Sequence, residues 1–246
     1  MVKQVTSTVG RFVTADTDYA YVATISGVDI VDLATESNYA YAYLTDGATT
    51  TAVAGTTVYI GTTASGVYTL DLTTLVSGNN TGSLSHVFYV GSATPIMSDD
   101  VNCIATYANK MLVSTASGVD FFKNGVRVGN YHFPFGSSAC AVSTREVAYS
   151  VDGLGCDVCY NLPGFNQKTP DWRLTSGTSS VVFPETINSI YITKDTSDAG
   201  YDTLYMATAS GVCVVGLDEP GNETASSFVT HSDSNVTAVV ADTNYI

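Results

Sequence analysis

Chemistry in this 246-residue chain would have to come from three histidines, five cysteines and twenty-three carboxylates. His86, His132 and His231 fall on separate stretches, each in or beside a segment that reads as an outer strand, so no nucleophile–base–acid triad assembles from them. Cys156 and Cys159 form a C-x-x-C pair, but no second pair and no nearby His completes a zinc site. On a strand, positions three apart point to opposite faces. Cys103, Cys140 and Cys213 complete an odd set without framework spacing, and these thiols read as small buried hydrophobes. The sequence contains neither a phosphate loop nor a nucleophile elbow.

The carboxylates offer two arrangements. Asp195, Asp198 and Asp202, around Gly200, make an acidic loop of the kind that wraps a hard cation, without EF-hand spacing and without a closing Glu. Calcium is the one cofactor it would suit, against the plainer reading of a solvated loop. Asp16, Asp195 and Asp242 end short apolar strands, where a glycan-cleaving enzyme would need two or three converging carboxylates. The competing reading is that they cap turns.

Aromatic residues supply the remaining sites. Tyr39, Tyr41 and Tyr43 alternate with Ala40 and Ala42, which puts three phenols on one face of an outer strand. Phe88, Tyr89, Tyr131, Phe133, Phe135, Trp172 and Phe228 occupy matching stretches. Most such rings are expected in the core between sheets, and the remainder on a rim that stacks sugars or docks proteins, with Asp16 beside it. Asn79, Asn222 and Asn235 head N-x-S/T sequons in loop-like segments and are glycosylation candidates in a suitable host.

The elements that position all of these are repeats. Residues 19–33 recur at 57–72, 110–123 and 203–217, with a worn copy at 146–162. Each is an alternating β-branched and aromatic run, a Ser-Gly step that supplies a tight turn, and a second run. The worn copy keeps only Gly155. A short β-rich stretch precedes each hairpin (12–15, 50–54, 103–107, 139–143, 190–193) and another follows it (39–44, 86–90, 127–133, 172–175, 227–230). The unit is therefore four antiparallel strands. Gly27, Gly66, Gly118, Gly155 and Gly211 are 39, 52, 37 and 56 residues apart. That spacing matches a propeller blade of roughly 40–50 residues.

The expected fold is all-β, a single five-bladed β-propeller of four-stranded antiparallel blades, with six blades as the alternative. The blades are 11–47, 48–100, 101–136, 137–185 and 186–234, with extra terminal strands at 3–8 and 235–246. Residues 237–246 repeat the register of 12–20, so a further repeat starts after the fifth. That strand either closes the ring internally or pairs with a neighbouring subunit through residues such as Val239, Ala241 and Tyr245.

Residues 19–33, with their Tyr-Val-Ala, Gly-Val and Ile-Val-Asp-Leu steps, resemble the LVIVD repeat of bacterial and archaeal surface proteins. The copies at 58–72 and 204–217 are similar to the repeats of two-component-regulator propellers. Both resemblances cover the hairpins, about a third of the chain, and imply propeller folds with extracellular or periplasmic interaction roles. Neither carries over a catalytic residue. Gly216 stands where the first copy has Asp32.

Bulk composition narrows the role. Nine Lys and Arg against twenty-three Asp and Glu give a formal charge of −14, which repels nucleic acid and anionic lipid surfaces. No run is long enough to insert in a membrane, and the first ten residues lack the apolar stretch of a secretory signal. The expectation is a non-enzymatic structural or adhesive module of a virion appendage or extracellular assembly, partnered by copies of itself, neighbouring structural proteins or glycans. The alternatives are a five-bladed glycan-processing enzyme and a monomeric lectin-like binding protein.

Overall fold

A computed structural model describes residues 9–143, 146–159, 172–174, 186–193, 202–217, 224–229 and 235–240. Among these the chain is all-β, with only two short 3-10 turns besides strands. It divides into two compact units, residues 1–109 and 110–246.

In the first unit, β1 (Gly10–Ala15), β2 (Tyr19–Thr24), β3 (Gly27–Asp32) and β4 (Ser37–Tyr43) follow one another in an antiparallel sheet. A second sheet holds β5 (Thr50–Ala54), β6 (Thr57–Gly61), β7 (Val67–Asp71) and β9 (Leu84–Phe88). Between β7 and β9 lies β8 (Gly78–Asn79), which pairs in parallel with β4. The sequence reads residues 77–82 as a plain loop. In the structure that loop reaches back and covers the outer edge of the preceding sheet, with Asn80 N–H donating to the Tyr41 carbonyl at 2.8 Å. Such cover protects an otherwise open ladder.

Two-residue alternation decides which face of each strand is core. Tyr21, Ala23, Val28, Ile30 and Ala40 of the first sheet pack on Val58, Ile60 and Leu70 of the second. Thr hydroxyls tie the first strands of neighbouring sheets together: Thr14 donates to Thr51 Oγ1 at 3.1 Å and Thr51 to the Tyr21 carbonyl at 3.1 Å.

β10 (Val101–Tyr107) ends the first unit, and in the second β11 (Lys110–Thr115), β12 (Gly118–Lys123) and β13 (Val126–His132) follow one another antiparallel in a third sheet. In the second unit β14 (Cys140–Val142), β15 (Val147–Val151), β16 (Gly155–Cys159) and β17 (Trp172–Leu174) form a fourth sheet. A fifth is formed by β18 (Ile187–Thr193), β19 (Asp202–Thr208), β20 (Gly211–Leu217) and β21 (Thr224–Val229). Cys156 and Val158 pack on Ile187, Leu204, Met206 and Cys213 in one apolar cluster.

First strands differ sharply in exposure. Thr50, Thr51 and Ala52 of β5 and Cys140 and Ala141 of β14 are buried. In β1, by contrast, Phe12 is 39% and Val13 59% exposed, and neighbouring Val9 is 69% exposed.

Candidate functional site

One device recurs at the hairpin of four of the five repeats, four residues long in three of them and five in the copy from Thr62 to Gly66. Thr24, Thr115 and Thr208 each stand opposite the key glycine, and each hydroxyl donates to that glycine's carbonyl, at 3.1, 3.1 and 2.8 Å. Thr62 does the same to Gly66 at 3.0 Å. The same Oγ1 accepts the N–H of Ser26, Ser65, Ser117 or Ser210, which closes the turn. Each Thr carbonyl then accepts from the chain as it leaves for the next sheet, at Ala48, Val101, Ser137 and Val236. Thus one buried residue fixes both the hairpin and the connection. In the worn copy Val151 stands opposite Gly155, and Ser150 and Asp152 hold Ser138, in the connection that precedes β14.

Gly27 is required for two reasons. Its φ of 130° lies where L side chains are strained, and a Cβ there would overlap the Ala42 carbonyl oxygen of the adjoining strand. The close approach brings Tyr43 directly opposite Gly27 and Tyr41 opposite Asp29.

At this point lies a cleft of about 340 Å³, lined by Thr24, Ser26, Asp29, Asn38, Tyr41 and Tyr43 together with Val28 and Ala42. Its volume is at the small end of the roughly 300–1,000 Å³ of small-molecule sites. Tyr41 and Tyr43 present tilted rings 5.0 Å apart, with an interplanar angle of 59°. Ala40 and Ala42 take the core side of β4, each 1% exposed, which leaves Tyr43 58% exposed. On this strand the alanines fill the core, Tyr39 packs at its margin and Tyr43 stays outside it. Tyr39 is half-buried and meets Tyr19 at 5.1 Å. Phe88 and Phe133 are buried, whereas Phe135 is 62% exposed.

Asp29 belongs to a set carried by the repeat pattern. Two residues after the key glycine stand Asp29, Asp120 and Asp157, at 7%, 0% and 0% exposure. Arg127 pairs with Asp120 at 2.5 Å, which offsets the burial of that charge. Asp157 lies opposite Tyr149 in the ladder. Burial, with Cys159 and Asp157 nearby, holds the Tyr149 phenol well above its ordinary value. An acid at a fixed offset from three of the five glycines is the signal available in the sequence.

Asp16 sits at the β1–β2 turn. One of its carboxylate oxygens accepts from Asp18 and Tyr19 N–H, both at 2.8 Å, and the other from the Tyr21 hydroxyl at 2.6 Å. Burial pushes its carboxyl up, and these donors outweigh that to leave it below the usual carboxylate value. Asp202 opens β19 and is 5% exposed, with Oδ2 lacking a hydrogen-bond partner among the described residues. Asp195, Asp198 and Asp242 lie outside the described residues. Among the described residues, no three His, Cys, Asp or Glu side chains group as a metal centre.

Asn79 is exposed in β8, where its side-chain oxygen accepts the Thr81 N–H at 2.9 Å, and the Thr81 hydroxyl accepts the Tyr43 N–H at 2.8 Å. Asn235 is exposed and accepts from Asn188 at 3.0 Å. Asn222, Ala241 and Tyr245 lie outside the described residues, and Val239 is 9% exposed. Residues 235–240, where the sequence predicts the start of a terminal strand, lie outside any strand.

His86 is stacked between Tyr68 at 4.4 Å and Tyr89 at 4.0 Å, with Nε2 2.5 Å from the Ser65 carbonyl. His132 reaches the Ser117 carbonyl at 2.8 Å. His231 lies outside the described residues. All five cysteines are buried and free of disulfides. Cys156 faces the fifth sheet while the Cys159 sulfur lies 4.0 Å from the Tyr149 hydroxyl, so the two diverge.

No protein-family model and no curated protein matches this chain. Solved structures similar to it include the computationally designed Ika8 protein, at 12% identity and TM-score 0.65, with 96% of this chain and 66% of that one covered. A chain of a mitotic checkpoint complex is similar at 10% identity and TM-score 0.70, with 96% and 69% covered. Hydrazine synthase of Kuenenia stuttgartiensis is similar at 12% identity and TM-score 0.59, with 90% and 70% covered. This chain thus spans about two thirds of the length of these structures, and identities this low bear on fold alone.

Proposed function

We propose that this chain is a five-bladed β-propeller that acts without catalysis, as a structural or adhesive module of an extracellular assembly or virion appendage. What carries the reading is the exposure of β1, whose Phe12 and Val13 lie open while the matching β5 and β14 residues are buried. An edge strand with exposed apolar side chains invites another strand. Residues 237–246 repeat the register of 12–20. Val236 makes the contact that precedes the next sheet at Ala48, Val101 and Ser137. By sequence, then, a first-strand segment is expected after the fifth sheet, and a second copy of the chain is the partner proposed for it. The acidic, Lys-poor composition supports an exterior setting.

Light scattering on the full chain and on a chain lacking residues 235–246 tests this. Assembly of the first and a folded monomer from the second would uphold it. A monomeric full chain whose shortened form unfolds would mean that the segment closes the ring internally.

A further inference from the structure

Resting on the adhesive reading above, we propose that the cleft beside Gly27 binds a neutral saccharide unit. Two features of its lining select that ligand class. Tyr41 and Tyr43 offer tilted phenol faces 5.0 Å apart, suited to the C–H faces of a sugar ring. Tyr43 does so at 58% exposure, on a strand whose core side is already filled by alanine. Around the rings stand Asp29, Asn38 and Ser26, a mixture of acceptors and donors matched to a ring of hydroxyls. The Asp29 carboxylate, 7% exposed, is positioned by the ladder directly opposite Tyr41. Carboxylates accept from vicinal hydroxyls with the strength of charge-assisted bonds.

Charge decides between kinds of sugar. A formal charge of −14 and a carboxylate in the lining oppose uronic or sialic acids. A quaternary ammonium would suit the rings and Asp29 but would leave the Ser26 and Asn38 groups facing a ligand with nothing to exchange. The cleft volume of about 340 Å³ suits one or two sugar rings rather than a long chain segment.

The test is calorimetric titration of the full chain with neutral hexoses, N-acetylhexosamines and their disaccharides, alongside glucuronic acid, choline and short tyrosine-free peptides. Binding of a neutral saccharide that weakens about tenfold or more in Tyr43→Ala, with an unchanged melting temperature, is the expected result. Asp29→Asn should weaken it further; because Asp29 is buried, its melting temperature is measured in parallel, and Tyr43→Ala carries the decision if that variant unfolds. Absence of any neutral saccharide ligand, binding of only the acid, choline or peptide, or binding indifferent to Tyr43→Ala would overturn the proposal. Failure here is separable from failure of the assembly reading, since substitutions at Phe12 and Val13 leave the cleft lining intact.

Discussion

The Thr24 hydroxyl donates to the Gly27 carbonyl at 3.1 Å, while the Thr24 carbonyl accepts from Ala48 at 2.8 Å. One side chain and its own peptide group thus hold a hairpin and the exit toward the next sheet. Thr115 and Thr208 repeat the arrangement with Ser137 and Val236. Replacing Thr115 by Val keeps the shape and removes the donor, leaving buried polar groups unmet. A loss of about 1–3 kcal/mol in unfolding free energy is expected in urea titration. Val151→Thr, at the copy whose turn is closed by the Leu154 N–H on the Val151 carbonyl at 2.8 Å, should gain little.

Gly27→Ala should be more damaging than loss of the hydroxyl. The strained backbone costs about 1–3 kcal/mol by itself. To this is added the overlap with the Ala42 carbonyl, which is main chain and cannot swing aside. Gly55→Ala, where a Cβ would meet nothing within 4 Å, provides the control: it shares the positive φ without the overlap. Thermal melts of the two should differ by several degrees, Gly27→Ala being the lower.

Stability should fall at both ends of the pH scale through one pair. Asp16 is held below its ordinary value, so its contribution is present above about pH 4 and disappears as pH falls through the depressed folded value. Tyr21 is held above its ordinary value by burial and by Asp16, so its contribution is present below about pH 10 and disappears as pH rises. Melting curves of Asp16→Asn should show a lower midpoint at pH 7 than wild type and a smaller further drop between pH 5 and 3. An identical acid limb in both proteins would remove the assignment.

Burial raises the Cys156 thiol and pushes Cys213 up to about 12. Thiolate, not thiol, reacts with disulfide reagents. Ellman's reagent should therefore titrate almost no Cys in the native protein at pH 8 and all five after denaturation.

Much of this fold can be read in the sequence because its period is carried by residues with one purpose. Gly27, Gly66, Gly118, Gly155 and Gly211 all have the positive φ their turns require, and strands flank each of them where the alternation places them. The Thr before four of the five glycines is nearly as regular, but Thr is common throughout the chain and its bond to the Gly carbonyl is visible only once the hairpin is closed. Residues 78–79 carry no strand signature at all: two residues pair with β4 because the loop is long enough to return. The cleft was half legible. The Tyr39-Tyr41-Tyr43 stripe marks an aromatic face, but Asp29 joins it only through the β3–β4 register, which no local pattern specifies.

Sedimentation velocity over a concentration series, comparing the wild-type chain with Val13→Lys, tests the central claim most directly. Val13 is 59% exposed, so the substitution spares the fold while placing a charge on the open strand. The account predicts a wild-type protein that assembles as concentration rises and a variant that stays monomeric with an unchanged melting temperature. A wild-type protein that remains monomeric at every concentration, or a variant that assembles equally well, would contradict it.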